Sequence, residues 1–211
     1  MAKQARAIAT REAIIQAAGM VFSDLSYSAA KLSDVLREAG VTQGALYFHF
    51  ESKHDLAVEV IKRQHETTWS ASEKFLEADM PGIEALVMIS KSIATQLTGD
   101  PVVSAGFRLT TESANFFPES ASSPYITWIQ TAERFLEKAV AEGDVDPDIN
   151  IPDTANFVIQ NFTGAQFMSQ SLSNRQDLFE RLEKMWNRLL RLLVLPDRFE
   201  KFADLPVKSR P

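Results

Sequence analysis

The chain of 211 residues contains no cysteine, which excludes a disulfide framework and any thiolate metal site. It has three histidines, His49, His54 and His65, with no pair four residues apart, so no helical two-histidine metal site is expected. No apolar run reaches the length of a membrane span, and the opening MAKQARAIAT is polar and basic, without the apolar core of a signal peptide. These absences fit the reducing cytoplasm and no membrane partner. The chain also lacks a G-x-S-x-G elbow, a phosphate loop, a Gly-rich dinucleotide turn and a nucleophile–base set. An enzyme is therefore not expected, nor a cofactor. The NFT at 161–163 matches a glycosylation sequon, which has no meaning without export. Alternating strand patterns and internal repeats are missing too, so the fold class expected is all-α.

What is present begins with KLSDVLREAG, residues 31–40. Leu32, Val35, Leu36 and Ala39 fall at the i, i+3, i+4, i+7 spacing of one helical face, and Gly40 ends the helix as a C-terminal cap. VTQGALYFHF follows, with four ring-bearing side chains and no Asp, Glu, Lys or Arg in ten residues. Thr42 offers its hydroxyl as N-cap of a second short helix. On that helix Gln43, Gly44, Tyr47 and Phe48 share one face, while Leu46 lies on the other as the anchor. An amide, a bare glycine and a phenol turned away from the anchor suit close approach to a polar surface. Helix, glycine turn, helix is the layout of a helix-turn-helix whose second helix enters the DNA major groove. Downstream, Ser52 caps a long helix with Asp55 three residues on, and Lys53 stands in its first turn as a phosphate anchor.

The net charge of −6 is unevenly placed: residues 1–53 carry +1 and the remainder −7. Lys3, Arg6 and Arg11 precede the first acid, and read either as a basic arm for the phosphate backbone or minor groove or as a solubilising tail.

Residues 6 to 60, from RAIATREAIIQAAGMVF through LSDVLREAGVTQGALYFHFESKHDLAVEV, resemble the DNA-binding domain of the tetracycline-repressor (TetR) family across its whole length. MAKQARA and GVTQGALYFHFESK are more specifically similar to the γ-butyrolactone receptor group, the autoregulator receptors of streptomycete antibiotic clusters. The resemblance implies a DNA-binding set of Arg6, Thr42, Gln43, Gly44, Tyr47, Phe48, His49 and Lys53, an operator duplex as partner, and a repressor released by a small lactone-, butenolide- or furan-like inducer. A repressor of an efflux or degradation operon, induced by a toxic aromatic or cationic compound, is the alternative. Three departures stand out. Ser26 replaces the usual turn glycine before Tyr27, Ala30 replaces a threonine cap, and Gln43 replaces the lysine common in the butyrolactone group, exchanging a charge for an amide suited to adenine.

Beyond the reading head (1–51), proline and glycine punctuation divides residues 52–211, a ligand-binding and dimerisation domain entered by the connecting helix, into helices near 52–78, 82–98, 101–116, 123–142, 152–172 and 175–195, with a short one near 197–203. On helix 175–195, Leu178, Leu182, Met185, Trp186, Leu189 and Leu193 form one apolar stripe widened by Phe179, Leu190 and Leu192. Such width suits two buried faces, one against a second copy in a homodimer; an intramolecular core is the other reading. Gln64, Trp128, Gln160 and Thr163 are polar groups inside otherwise apolar helices, the few placed donors that a small-ligand pocket needs. Each alone is also compatible with ordinary core packing. Because it starts at the DNA and continues past Gln64, the helix from Ser52 is expected to act as a lever between ligand and operator.

Overall fold

The computed structural model describes residues 2–78, 80–112 and 114–208. Ten helices are found among them: α1 (Ala2–Asp24), α2 (Leu32–Ala39), α3 (Gln43–His49), α4 (Lys53–Glu77), α5 (Gly82–Gly99), α6 (Pro101–Glu112), α7 (Pro118–Ala141), α8 (Ile151–Ser173), α9 (Leu178–Leu193) and the short α10 (Leu205–Lys208). Two 3-10 turns, Ala114–Phe116 and Phe199–Lys201, and one isolated bridge between Val145 and Val194 complete the described structure. The all-α expectation is met.

Three boundaries differ from the punctuation. The helix expected over 101–116 ends at Glu112, and Ala114–Phe116 form a separate 3-10 turn. The next begins at Pro118 and runs through Pro124, which withholds one i→i−4 hydrogen bond without ending it. The helix expected from 175 begins at Leu178, because Asn174 and Arg175 have φ of 47° and 64° and so cannot be helical.

The chain forms two compact units, Met1–Trp69 with Gln96–Ser123, and Ser70–Thr95 with Pro124–Pro211. The sequence-based division at 51/52 cuts inside the first. That unit needs α6 because Val102, Ala105 and Leu109 join Ile14, Ile15, Ala18 and Phe22 of α1 in one core. At Gly19 the two helices touch so closely that a β-carbon would lie 2.9 Å from the Cα of Val102. Arg108 reinforces the contact by donating to the Ser23 carbonyl at 2.8 Å, and Arg63 ties α4 to α1 by forking onto the Glu12 carboxylate at 3.2 and 3.0 Å.

The second unit buries Ile83, Ala139, Val145, Leu190, Val194 and Phe202 together. Several of its polar groups are tied by hydrogen bonds and ion pairs. Trp186 donates its indole N–H to Ser90 Oγ at 2.7 Å. Asp177 accepts from Ser169 Oγ at 2.6 Å, Ser173 Oγ at 2.7 Å and Arg181 Nε at 2.8 Å, locking the α8–α9 turn. The fully buried Asp144 carboxylate meets Lys201 Nζ at 2.8 Å, with Arg198 Nε at 3.8 Å.

This unit corrects the dimerisation residues. Leu178, Leu182, Met185, Trp186, Leu189 and Leu193 are all buried within the protomer. The stripe that periodicity detects is the one α9 turns inward, which is where a strongly amphipathic surface helix puts its apolar side.

Candidate nucleic-acid interface

The reading head is built as its residues dictate. Val35 of α2 is fully buried, with Leu32, Leu36 and Ala39 packed partly against the same core. Gly40 then takes φ 63°, a left-handed cap that glycine adopts without strain. Thr42 Oγ1 accepts from the Ala45 N–H at 3.2 Å and starts α3. Leu46, 0% exposed, hangs the helix on the core, a burial worth about 2 kcal/mol. Outward stand Thr42, Gln43, Gly44, Tyr47 and Phe48, the last 78% exposed. His49 is half-buried, its ring edge-on to Phe48 with centroids 5.0 Å apart. A β-carbon added at Gly44 would meet nothing within 4 Å. No contact among the described residues asks for a glycine there.

The departures from the family pattern are absorbed locally. Ser26 holds its turn without a left-handed backbone, its carbonyl accepting from the N–H groups of Ala29 and Ala30 at 3.0 Å each. Ala30 is buried, and Asp34 caps α2 instead by accepting from the Lys31 N–H at 3.2 Å.

Lys53 has a different role from the one its position suggests. Its ammonium donates to the carbonyls of Tyr27 at 2.8 Å and Ala30 at 3.0 Å, and lies 4.4 Å from the centre of the Tyr27 ring. With two of three donors used inside the protein, Lys53 fastens the turn before α2 to the first turn of α4. Ser52 does cap that helix, accepting from the Asp55 N–H at 3.1 Å. The Tyr27 ring also touches Phe117, centroids 4.9 Å apart, and burial raises its phenol pKa, with Asp55 adding to the effect.

The basic arm is corrected. Residues 2–24 form one helix, so Arg6 and Arg11 project from α1 and not from an extended strand. Arg11 is engaged, with Glu59 at 3.0 Å and the Phe50 ring centre at 5.2 Å, whereas Arg6 stays exposed. The side chain of Lys3 lies outside the described residues.

The expected ligand residues belong to two different units. Gln64 belongs to the first unit, is 2% exposed, and donates its amide to Thr68 Oγ1 at 3.3 Å, while Gly106 leaves the room its side chain occupies. Next to it, burial lowers the His65 pKa, opposed by Glu66. Trp128, buried, and Thr163, half-buried, belong to the second unit. Gln160 is exposed and lines an open groove of about 650 Å³ on the outer side of α8 and α9, beside Phe157, Met168 and Leu192. Phe157, Phe167, Met168 and Leu172 of α8 and Leu192 of α9 make that side apolar and leave it exposed. The sequence signals this face as a second apolar stripe on α8, opposite Ala155, Val158 and Phe162, with Gly164 and Ala165 small enough to admit a neighbour.

Among the described residues no group of His, Asp and Glu side chains suits a metal ion, and no helix is long and apolar enough to cross a membrane.

With this geometry in hand, comparison with known proteins is direct. Residues 14–60 match the family described as bacterial regulatory proteins, tetR family, and residues 80–195 match the tetracyclin repressor-like C-terminal domain. The A-factor receptor protein of Streptomyces griseus is 35% identical over 196 residues, covering 93% of this chain and 68% of that protein. A crystal structure of a gamma-butyrolactone receptor (ArpA-like protein) superposes with a TM-score of 0.84 at 30% identity, covering 97% of this chain and 98% of that one. CprB from Streptomyces coelicolor, solved in complex with its biological operator sequence, gives 0.85 at 31% identity over the same shares. The chain belongs to the TetR family of bacterial regulatory proteins, and within it resembles the γ-butyrolactone receptors.

Proposed function

We propose that the protein is a ligand-responsive transcriptional repressor that binds a roughly palindromic operator as a homodimer and leaves it when a small signalling molecule of γ-butyrolactone, butenolide or furan type binds. The observation that carries the reading is the outward face of α3. A glycine that the fold does not need is flanked by an amide, a phenol and an exposed phenyl ring, on a helix hung from one buried leucine. Such a face is costly in water and suits close contact with base edges. CprB, whose chain superposes over nearly its full length, was solved on its operator.

A single helix-turn-helix reads few base pairs, and two-fold symmetry is the usual remedy. The exposed apolar side of α8 and α9 supports a second copy as its cover, since a β-carbon at Gly164 would meet nothing within 4 Å and another backbone can approach there. For the signal, buried Trp128 supplies a large ring, the kind of apolar wall against which a small lactone would pack. To release DNA the ligand must prefer the state that fits DNA poorly. A coupling of about 1–3 kcal/mol per site lowers operator affinity roughly 5- to 150-fold, and operator must weaken ligand binding by the same factor.

The test is selection of bound duplexes from a random library, followed by gel shifts with and without synthetic γ-butyrolactones. A dimer that binds a palindrome and is released by one of them supports the reading. A monomer at micromolar concentration with no sequence preference refutes it. Trp128→Ala, provided it folds, is expected to bind operator and to resist release.

A further inference from the structure

We infer that α3 selects A·T pairs, with the Gln43 amide on an adenine and the Phe48 ring seated on a thymine methyl group. The inference rests on the DNA-binding reading above and adds the identity of the bases read.

The argument starts from an inventory. Each base pair shows the major groove a distinct pattern: guanine offers two acceptors, adenine a donor beside an acceptor, and thymine an acceptor beside a methyl group. Guanine is matched by the fork of an arginine or the ammonium of a lysine. Residues 41–50 contain neither. Of the cations nearest in sequence, Lys53 binds the carbonyls of Tyr27 and Ala30, and Arg37 pairs with Asp34 at 2.9 Å on α2. Gln43 remains, exposed at the start of α3, and its amide presents the donor and acceptor that adenine N7 and N6 complement.

Phe48 is the stronger clue. At 78% exposure it is the most exposed large apolar side chain among the described residues, above Leu172 at 68% and Leu192 at 67%, which lie on the apolar side of α8 and α9. Phe48 stands instead on the outward face of α3, beside Tyr47 at 49%. It stands one helical turn beyond Gly44, so the missing side chain at Gly44 lets this edge of α3 sink toward a surface. Its ring is steadied edge-on by His49, with an interplanar angle of 84°. A phenyl ring makes no hydrogen bond, so in the groove it is rewarded by one group on the base edges, the thymine C5 methyl.

The experiment uses the full-length protein and the best duplex from the random library. Each thymine of the half-site is replaced in turn by deoxyuridine, which removes the methyl and nothing else. At one position per half-site the wild type is expected to lose about fourfold in affinity, the value of one buried methyl. Phe48→Ala is expected to bind weaker overall and to hold the thymine and uracil duplexes equally, with Phe48→Leu in between. Placing 5-methylcytosine against cytosine at that position is expected to recover part of the loss. Gln43→Ala is expected to relax preference for one adenine by about 5- to 150-fold. Guanines as the required bases under α3, indifference to every thymine methyl, or an undiminished thymine preference in Phe48→Ala would each overturn the inference while leaving DNA binding intact. A library from which no sequence is enriched overturns the DNA-binding reading and this inference with it.

Discussion

Replacing Gly44 with alanine adds one methyl group where the protein alone has room for it, and the consequences for folding and for DNA should have opposite signs. The added β-carbon meets nothing within 4 Å, and Gly44 shows no left-handed backbone among the described glycines that do. Glycine in a helix costs roughly 0.5–1 kcal/mol relative to alanine, so Gly44→Ala should stabilise the protein by up to that amount. In a chain of 211 residues, this corresponds to a rise in Tm of about 1–4 °C. Against DNA the same methyl intrudes where α3 must come closest. Overfilling a close-packed contact costs about 1–3 kcal/mol, or roughly 5- to 150-fold in affinity per half-site. Thermal unfolding followed by circular dichroism and operator titration by fluorescence anisotropy, on the same preparation, read both signs. An alanine variant that melts higher yet binds operator as well as the wild type would refute the reasoning, because Gly44 would then not face the DNA. A variant that melts lower would refute the structural half.

Three further outcomes are expected. Lys53→Met should leave the Tyr27 and Ala30 carbonyls without their ammonium and lower stability by about 1–3 kcal/mol in urea titrations; unchanged stability with uniformly weaker DNA binding would restore Lys53 to the phosphate backbone. Leu192→Glu, on the exposed side of α9, should shift sedimentation toward monomer with the fold retained, whereas Leu182→Ala, on the buried side, should cost about 2–4 kcal/mol of stability and leave assembly of the folded protein unchanged; the reverse pattern would return the interface to the inward stripe. The Asp177 carboxyl is held below the usual carboxylate range by hydrogen bonds from Arg181, then Ser169 and Ser173. A depressed folded-state pKa gives stability that is present above the unfolded value, about 3.9, and is lost as pH falls below it. Asp177→Asn should therefore be less stable than the wild type at pH 7 and approach it under acid; a constant difference from pH 7 down to pH 2 would refute the assignment.

Local chemistry was legible in the sequence. Gly40, Thr42 and Ser52 punctuate helices within a few residues of themselves, so their roles follow from spacing, and Leu46 as anchor follows from helical period. What covers a face is not local. The α9 stripe looked like an interface because period reports that a side is apolar, and not whether Ser90, 96 residues away, waits beneath it to take the Trp186 N–H. The carbonyl contacts of Lys53 are hidden for the same reason: they lie 26 and 23 residues upstream, on a turn with no signature in the sequence. Arg6 and Arg11 looked like an arm because composition reports charge, whereas the helical state of α1 depends on Ile14, Ile15 and the core they enter.

The buried Asp144 carboxylate and its half-exposed partner Lys201 order events on the ribosome. Asp144 is translated 57 residues before the ammonium that neutralises it, and a carboxylate buried without a cation costs several kcal/mol. The nascent second unit must therefore keep the α7–α8 connection open to water until Lys201 emerges. The unit that carries α3 has no such debt, since it is complete at Ser123. A ribosome stalled between the two points should display a protease-resistant reading head ahead of a still-sensitive second unit, so the part that grips DNA matures before the part proposed to release it.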